Sequence, residues 1–61
     1  MNEKQKAAIS QYLLREEVSH FEYLSPEVGD RRETPAFLSK VIFRSGMSMV
    51  MCVEPDGSRH T

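Results

Sequence analysis

Residues 37–54, which read FLSKVIFRSGMSMVMCVE, are the stretch of sequence that decides the fold. Residues 37–44 and 47–54 are rich in β-branched, aromatic and methionine side chains, and Ser45 and Gly46 separate the two segments. Apolar runs of this length on either side of a short segment with glycine are typical of a β-hairpin. We therefore predict a hairpin over residues 37–54.

The hairpin turn determines which side chains share a face. If residues 44–46 form a three-residue loop with Gly46 in the left-handed conformation, Phe43 lies opposite Met47 and Val41 lies opposite Met49. A two-residue loop would mix charged and aromatic side chains on both faces, so we favour the longer loop. Because strand side chains alternate, this register gives one apolar and one half-polar face. The apolar face comprises Phe37, Val41, Phe43, Met47, Met49, Met51 and Val53, and the half-polar face comprises Leu38, Lys40, Ile42, Arg44, Ser48, Val50, Cys52 and Glu54.

A helix is predicted near the start of the sequence. Asn2 is a favourable N-cap residue, and Gln5 three positions later completes a capping box. An apolar stripe at helical spacing follows and consists of Ala8, Ile9, Tyr12 and Leu13. Gln5 lies outside this stripe. We predict a helix over about residues 3–17 that covers the apolar hairpin face, because neither element is stable without the other. The side chains expected to be buried together are Ile9, Leu13, Val41, Phe43 and Met49.

Residues 18–24 carry two overlapping patterns. Phe21 and Tyr23 alternate with polar residues as in a strand, whereas Leu14, Val18 and Phe21 continue the helical stripe. No glycine or proline interrupts residues 3–25. We therefore favour a helix that extends to about residue 24, because the proline at position 26 disfavours the helical conformation of the residue before it. A helix followed by a short first strand is the alternative.

The remaining segments have the composition of loops. Residues 25–35 read SPEVGDRRETP, and loops of this length are often either functional or mobile. Within this loop Asp30, Arg31 and Arg32 form a candidate anion-binding or partner-binding site, although acidic neighbours offset the two arginines. After the hairpin, residues 54–57 read EPDG, the pattern of a type I turn. We expect the tail, residues 55–61, to end in frayed polar residues.

Size and composition limit the possible functions. The chain has 61 residues, a formal charge of −1 and a single cysteine, so we expect one small domain, residues 1–61, without an internal disulfide. His20, Cys52 and His60 match no zinc-binding spacing, and we expect neither a metal nor a cofactor. Balanced charge also makes a dedicated nucleic-acid binder a weaker hypothesis.

The sequence contains no segment typical of membrane insertion or secretion. No apolar run approaches the ~20 residues that span a bilayer. Residues 1–6 are not followed by the apolar segment of a signal peptide. Together with the single free thiol, this pattern favours a reducing, cytoplasmic location and no contact with membranes.

Few residues suggest chemistry. Three methionines at alternate positions, 47, 49 and 51, could hold Cu(I), but methionines on one strand face are more often core. Cys52 has no base placed by spacing to activate it as a nucleophile. A chain of this length also has difficulty enclosing a substrate pocket. We therefore expect no catalytic residues and no enzymatic activity.

The half-polar hairpin face is the most specific functional indication. One short helix cannot cover both hairpin faces, and an uncovered apolar patch on a small protein usually marks a protein interface. We expect a non-enzymatic protein-interaction module, either an inhibitor or regulator that docks on a larger protein or a homodimer. Small accessory genes of bacteria, phages and plasmids often encode such proteins. The residues expected to contact the partner are Leu38, Lys40, Ile42, Arg44, Val50 and Cys52.

Two other functions and a second docking route stay open. A weak nucleic-acid binder would use Arg31, Arg32, Lys40, Arg44 and Arg59. A metal or redox protein would use Met47, Met49, Met51 and Cys52. A partner strand could also add to residues 47–54 if they lie at a sheet edge, because an exposed edge offers unpaired backbone groups.

Overall fold

A single helix packs against one face of a four-stranded antiparallel sheet, as the computed structural model of residues 1–61 shows. The elements in chain order are helix α1 (Glu3–Leu13) and strands β1 (Val18–Pro26), β2 (Phe37–Phe43), β3 (Ser48–Val53) and β4 (Arg59–His60). Each strand pairs with its neighbour in sequence, in the order β1-β2-β3-β4. The predicted α+β architecture is confirmed. Its 11-residue helix has neither the length nor the apolarity to cross a bilayer.

The central hairpin and its register are confirmed. Val41 pairs with Met49, and the Phe43 amide donates a hydrogen bond to the Met47 carbonyl at 2.8 Å. The loop is therefore residues 44–46. Gly46 has φ +92°, and its amide donates to the Phe43 carbonyl at 2.9 Å. Glycine adopts this left-handed conformation at low cost because it has no Cβ.

The predicted extension of the helix is wrong, and the alternative of a helix followed by a strand is confirmed. α1 ends at Leu13, so the predicted helix end near residue 17 is also wrong, and β1 begins at Val18. β1 lies along β2, with Phe21 opposite Val41. A longer helix would leave the backbone groups on that side of β2 unpaired, and unpaired backbone groups away from water are costly. Sheet pairing therefore outweighs the helical pattern, and Leu14 is left exposed.

The start of α1 is fixed by the predicted capping box. The Gln5 amide donates to Asn2 Oδ1 at 2.8 Å, and the Asn2 amide donates to Gln5 Oε1 at 2.9 Å. Gln5 does not face solvent as expected, because its side chain is 0% exposed. Its Nε2 donates to the carbonyls of Pro35 (3.0 Å) and Val53 (3.3 Å). The helix start is thereby tied to the end of the long loop and to the end of β3.

The core lies between α1 and the inner face of the sheet, which is the face toward the helix. Leu13 was expected in this core but is 38% exposed, because α1 ends there and its last turn stands at the margin of the helix–sheet contact. Phe43 and Met49 are half-buried and pack against the core. The buried side chains of this core cluster are Ala8, Ile9, Val18, Phe37, Val41, Met51 and Val53.

The long loop comprises residues 27–36, because β1 continues to Pro26. The Glu27 amide donates to the Ala36 carbonyl at 2.9 Å and closes the base of the loop. The Asp30 carboxylate accepts hydrogen bonds from the amides of Ala36 (2.9 Å) and Arg32 (3.1 Å). A single aspartate thus organises a segment whose composition alone suggests only a flexible connection.

The expectation of a frayed tail is wrong. The predicted turn at residues 54–57 is present, with the Gly57 amide donating to the Glu54 carbonyl at 2.9 Å. The chain then returns beside β3, and β4 pairs His60 with Cys52 and Arg59 with Val53. Pairing satisfies backbone groups of β3 that would otherwise be open to solvent, which explains why this polar segment is ordered.

Candidate functional site

The outer face of the sheet, which is the face opposite α1, has no helix or strand packed on it. On β2 and β3 it carries the cross-strand pairs Leu38 with Cys52, Lys40 with Val50 and Ile42 with Ser48. Lys40 is exposed and Val50 is 50% exposed, whereas Leu38 and Ile42 are half-buried. Five of the six residues expected to contact a partner therefore remain accessible. The exception is Cys52.

Cys52 is only 5% exposed although it lies on the outer face. Its Sγ lies 3.7 Å from Glu27 Oε2 and 3.6 Å from Glu54 Oε2, so two carboxylates cover it. Burial, and then the charge of Glu27, raise the pKa of the Cys52 thiol to about 11. The thiol is therefore neutral near pH 7, and a neutral thiol is a poor nucleophile.

His60 completes a polar cluster with Cys52 and Glu54, which we call the Cys52 cluster. His60 Nε2 lies 3.1 Å from Glu54 Oε2, and the Sγ, carboxylate oxygen and imidazole nitrogen lie within 4.8 Å of one another. The contact with His60, and then that with Arg32, hold the pKa of Glu54 below its ordinary value. Sequence reasoning missed this cluster because the spacing C-x-E-x₅-H matches no familiar metal motif.

The loop residues singled out from the sequence form ion pairs rather than a free anion site. Arg32 Nε donates to Asp30 Oδ1 at 2.9 Å, and Arg32 Nη2 donates to Glu54 Oε1 at 3.0 Å. Hydrogen bonds from the Arg32 side chain, and then from the Ala36 amide, hold the pKa of Asp30 far below its ordinary value. Two carboxylates thus engage the charge of Arg32, and Arg31 is the cation of the loop that forms no ion pair.

The basic residues considered for nucleic-acid binding lie on different sides of the molecule. Arg59 packs on the helix side, with Cζ 5.0 Å from the centre of the Tyr12 ring. Lys40 lies on the outer face, and Arg44 at the hairpin loop donates to the Glu16 carbonyl at 2.8 Å. They form no continuous basic strip of the kind that tracks a phosphate backbone.

The three methionines considered for metal binding belong to the inner face. Met51 is 2% exposed and lies in the core, Met49 is half-buried, and Met47 is 71% exposed at the hairpin loop. Side chains alternate along a strand, so Met51 and Cys52 point to opposite faces. The methionines and the thiol therefore do not surround a common position.

The outer edge of β3 is open over residues 48–51, because β4 pairs only with Cys52 and Val53. We call these four residues, which read SMVM, the open edge. In an antiparallel pair the backbone groups of alternate residues point away from the partner strand. Since the Phe43 amide donates to the Met47 carbonyl and Val41 pairs with Met49, the groups that point away from β2 are those of Ser48 and Val50. Natural proteins usually protect such edges with charges or proline, and this segment has neither.

Comparisons with known proteins add no relative: no family model matches the sequence, and neither the curated proteins nor the solved structures include a match.

Proposed function

We propose that this chain is a small non-enzymatic protein-interaction module that receives a partner strand at the open edge of β3. The observation that carries the proposal is the unprotected edge itself, in which Ser48 and Val50 present free backbone groups within a run of four uncharged residues. Strand addition obtains affinity from main-chain hydrogen bonds and specificity from the alternate side chains beside them.

The side chains beside the open edge support binding on both faces. Val50 is half exposed on the outer face, where Ile42 and Leu38 of β2 extend the apolar surface. Met49 is half-buried on the inner face, and the neighbouring Met47 is largely exposed there. An added strand would lie beside Val50 on the outer face and Met49 on the inner face, and burial of such apolar side chains contributes favourable free energy to binding.

The occupant that we propose is a second copy of the chain. Two copies of the open edge can pair antiparallel about a two-fold axis, since the same segment then supplies both sides of the interface. Both copies contribute only uncharged side chains, so no like charges meet across the pair. A domain of this size also gains stability from association, because its own core is small. An inhibitor or regulator that docks on a larger protein would use the same edge.

Two further parts of the proposal concern chemistry and location. The thiol of Cys52 is neutral near pH 7 and is therefore a poor nucleophile, which supports a role without catalysis. An unpaired cysteine supports a reducing, cytoplasmic compartment, where thiols stay reduced.

The experiment is sedimentation velocity of the pure protein over a wide concentration range, with Val50→Pro as the test variant. The Val50 amide faces the open edge, so proline there removes a donor for the partner without removing a hydrogen bond to β2. The matched control is Val28→Pro. Val28 is exposed at the second position of a turn whose third residue, Gly29, has φ +87°, and proline is favoured there.

We expect the parent and Val28→Pro to form dimers at the same concentrations, and Val50→Pro to remain monomeric with an unchanged circular dichroism spectrum. A parent that stays monomeric at every concentration contradicts the homodimer. Dimers of equal strength in all three proteins would show that association does not use the open edge.

A further inference from the structure

The Cys52 cluster lies where the β3–β4 hairpin brings three different metal-ligand types to one point of the outer face. Cys52 and His60 are direct cross-strand partners, and Glu54 follows Cys52 by two residues, which places it on the same face. Thiolate and imidazole are the ligands that zinc prefers, and carboxylate is its usual third choice. The cluster is therefore neither a lone thiol nor a patch of acids.

The distances fit one small tetrahedral ion. Zinc bonds are about 2.3 Å to sulfur and about 2.0 to 2.2 Å to nitrogen or oxygen, so tetrahedral ligand atoms lie roughly 3.3 to 3.6 Å apart. Cys52 Sγ lies 3.6 Å from Glu54 Oε2, and Glu54 Oε2 lies 3.1 Å from His60 Nε2. Cys52 Sγ and the His60 imidazole nitrogen lie within 4.8 Å of each other, so a shared ion requires the exposed His60 ring to move toward the thiol by up to about 1 Å.

The carboxylate ligand is held in place by groups outside the cluster. Arg32 binds Glu54 Oε1 at 3.0 Å, which leaves Oε2 directed at Cys52 and His60. Arg32 is itself fixed by Asp30. Partners of this kind orient metal ligands in natural sites, and their removal typically weakens binding by about 10-fold to 100-fold.

The backbone that carries the cluster is also well fixed. The Glu54 amide donates to the Ser58 carbonyl at 2.8 Å, and Asn2 Nδ2 donates to the Pro55 carbonyl at 2.9 Å. The hairpin turn is therefore tied to the start of α1. Ligands on a constrained hairpin lose little freedom when an ion binds, which favours affinity.

The charges around the thiol also favour a cation. Glu27 Oε2 lies 3.7 Å from Cys52 Sγ, and no basic side chain forms an ion pair with Glu27. Arg32 balances only one of the two carboxylates near the thiol. A divalent ion at the cluster would offset the second carboxylate, and Glu27 Oε2, 3.7 Å from Cys52 Sγ, is the candidate for a fourth coordination position.

We propose that Cys52, Glu54 and His60 bind one zinc ion per chain, with Glu27 completing the coordination. On binding, a sulfur–zinc bond forms, and the thiol proton leaves to the buffer. The thiol and imidazole select zinc over magnesium or calcium, which prefer oxygen ligands alone. This site is independent of the open edge and of the proposed function.

The test is titration of the pure protein with Co²⁺ and then with Zn²⁺. Cobalt replaces zinc in tetrahedral sites and reports a bound thiolate through a sulfur-to-cobalt charge-transfer band. We expect one equivalent of Co²⁺ to produce this band and one equivalent of Zn²⁺ to abolish it. The variants are Cys52→Ser and His60→Ala, and the matched control is His20→Ala, because His20 is exposed on β1 away from the cluster.

Cys52→Ser should lose the charge-transfer band, His60→Ala should bind Zn²⁺ at least 10-fold more weakly, and His20→Ala should match the parent. Cys52 is buried, so Cys52→Ser is compared with the parent only after circular dichroism shows that it is folded. His60 is exposed, and His60→Ala keeps the test decisive. Failure of the parent to give the band, or equal zinc affinity of the two histidine variants, overturns the proposal. Neither result would bear on dimer formation through the open edge.

Discussion

Gln5→Ala should be one of the most destabilising single substitutions in this protein, although Gln5 is a polar residue near the chain start. Its side chain is fully buried and makes three hydrogen bonds. Oε1 accepts from the Asn2 amide, and Nε2 donates to the carbonyls of Pro35 and Val53. Alanine removes all three bonds and leaves a cavity where α1, the long loop and β3 meet.

The magnitude follows from the groups left without partners. Loss of one side of a helix cap costs about 1 kcal/mol, and a buried backbone group without a partner costs about 1 to 3 kcal/mol. Relaxation and water entry recover part of this, so we expect Gln5→Ala to lower the free energy of unfolding by about 2 to 5 kcal/mol. At roughly 0.05 to 0.15 kcal/mol per residue, the whole domain has only about 3 to 9 kcal/mol. The substitution therefore removes a large share of the total stability.

The assay is urea unfolding followed by circular dichroism, with Gln11→Ala as the matched control. Gln11 is exposed on the same helix, so the identical substitution there should change the free energy of unfolding by less than about 0.5 kcal/mol. Gln5→Glu keeps the size of the side chain but replaces both amide donors, and it should also destabilise the protein at pH 7. Equal stability of Gln5→Ala and Gln11→Ala would refute the reasoning, as would a Gln5→Glu variant as stable as the parent.

Two further predictions concern the turns and the loop. Gly46 and Gly57 both have positive φ, but a Cβ at Gly57 would lie 3.2 Å from the Lys4 carbonyl oxygen, whereas Gly46 has open space around it. In urea unfolding, Gly46→Ala should lower the free energy of unfolding by about 1 to 2 kcal/mol through conformational strain, and Gly57→Ala should lower it clearly more. The reverse order would contradict the contact between Gly57 and α1. The pKa of Asp30 is lowered in the fold, so its contribution to stability is complete above its ordinary pKa of about 4 and is lost as the pH falls below that value. In urea unfolding at several pH values, the free energy of unfolding of Asp30→Asn should therefore fall less between pH 4 and pH 2 than that of the parent. Parallel pH profiles of parent and variant would argue against this role.

The central hairpin could be predicted from the sequence because its determinants are local. Gly46 and the apolar runs beside it select one loop length, and the loop then fixes the pairing of Val41 with Met49. The N-cap was equally local, since Asn2 and Gln5 are three residues apart. In both places the hydrogen-bond partners lie within a few residues of each other, so a short stretch of sequence contains the whole pattern.

β1 could not be predicted in the same way because its partner is distant in sequence. Residues 18–24 fit a helix and a strand about equally, and the choice depends on the unpaired edge of β2. The burial of Gln5 has a similar origin. Periodicity assigns a glutamine to the surface, but two carbonyls from remote segments give this one a hydrogen-bonded place in the interior.

The Cys52 cluster could be predicted from the sequence only in part. The turn at residues 54–57 repeats the geometry of the central hairpin, with the Glu54 amide bonded to the Ser58 carbonyl as the Phe43 amide is bonded to that of Met47. Extending the same register rule across this second turn places His60 opposite Cys52, and the sequence therefore contained the signal for two of the three ligands being adjacent. Because β4 is only two residues long, it brings His60 to the cluster and at the same time leaves the edge of residues 48–51 that faces away from β2 open. The length of β4 thus sets both candidate sites, yet the sites can be tested separately, since His60→Ala removes a ligand without blocking the open edge and Val50→Pro blocks the edge without removing a ligand.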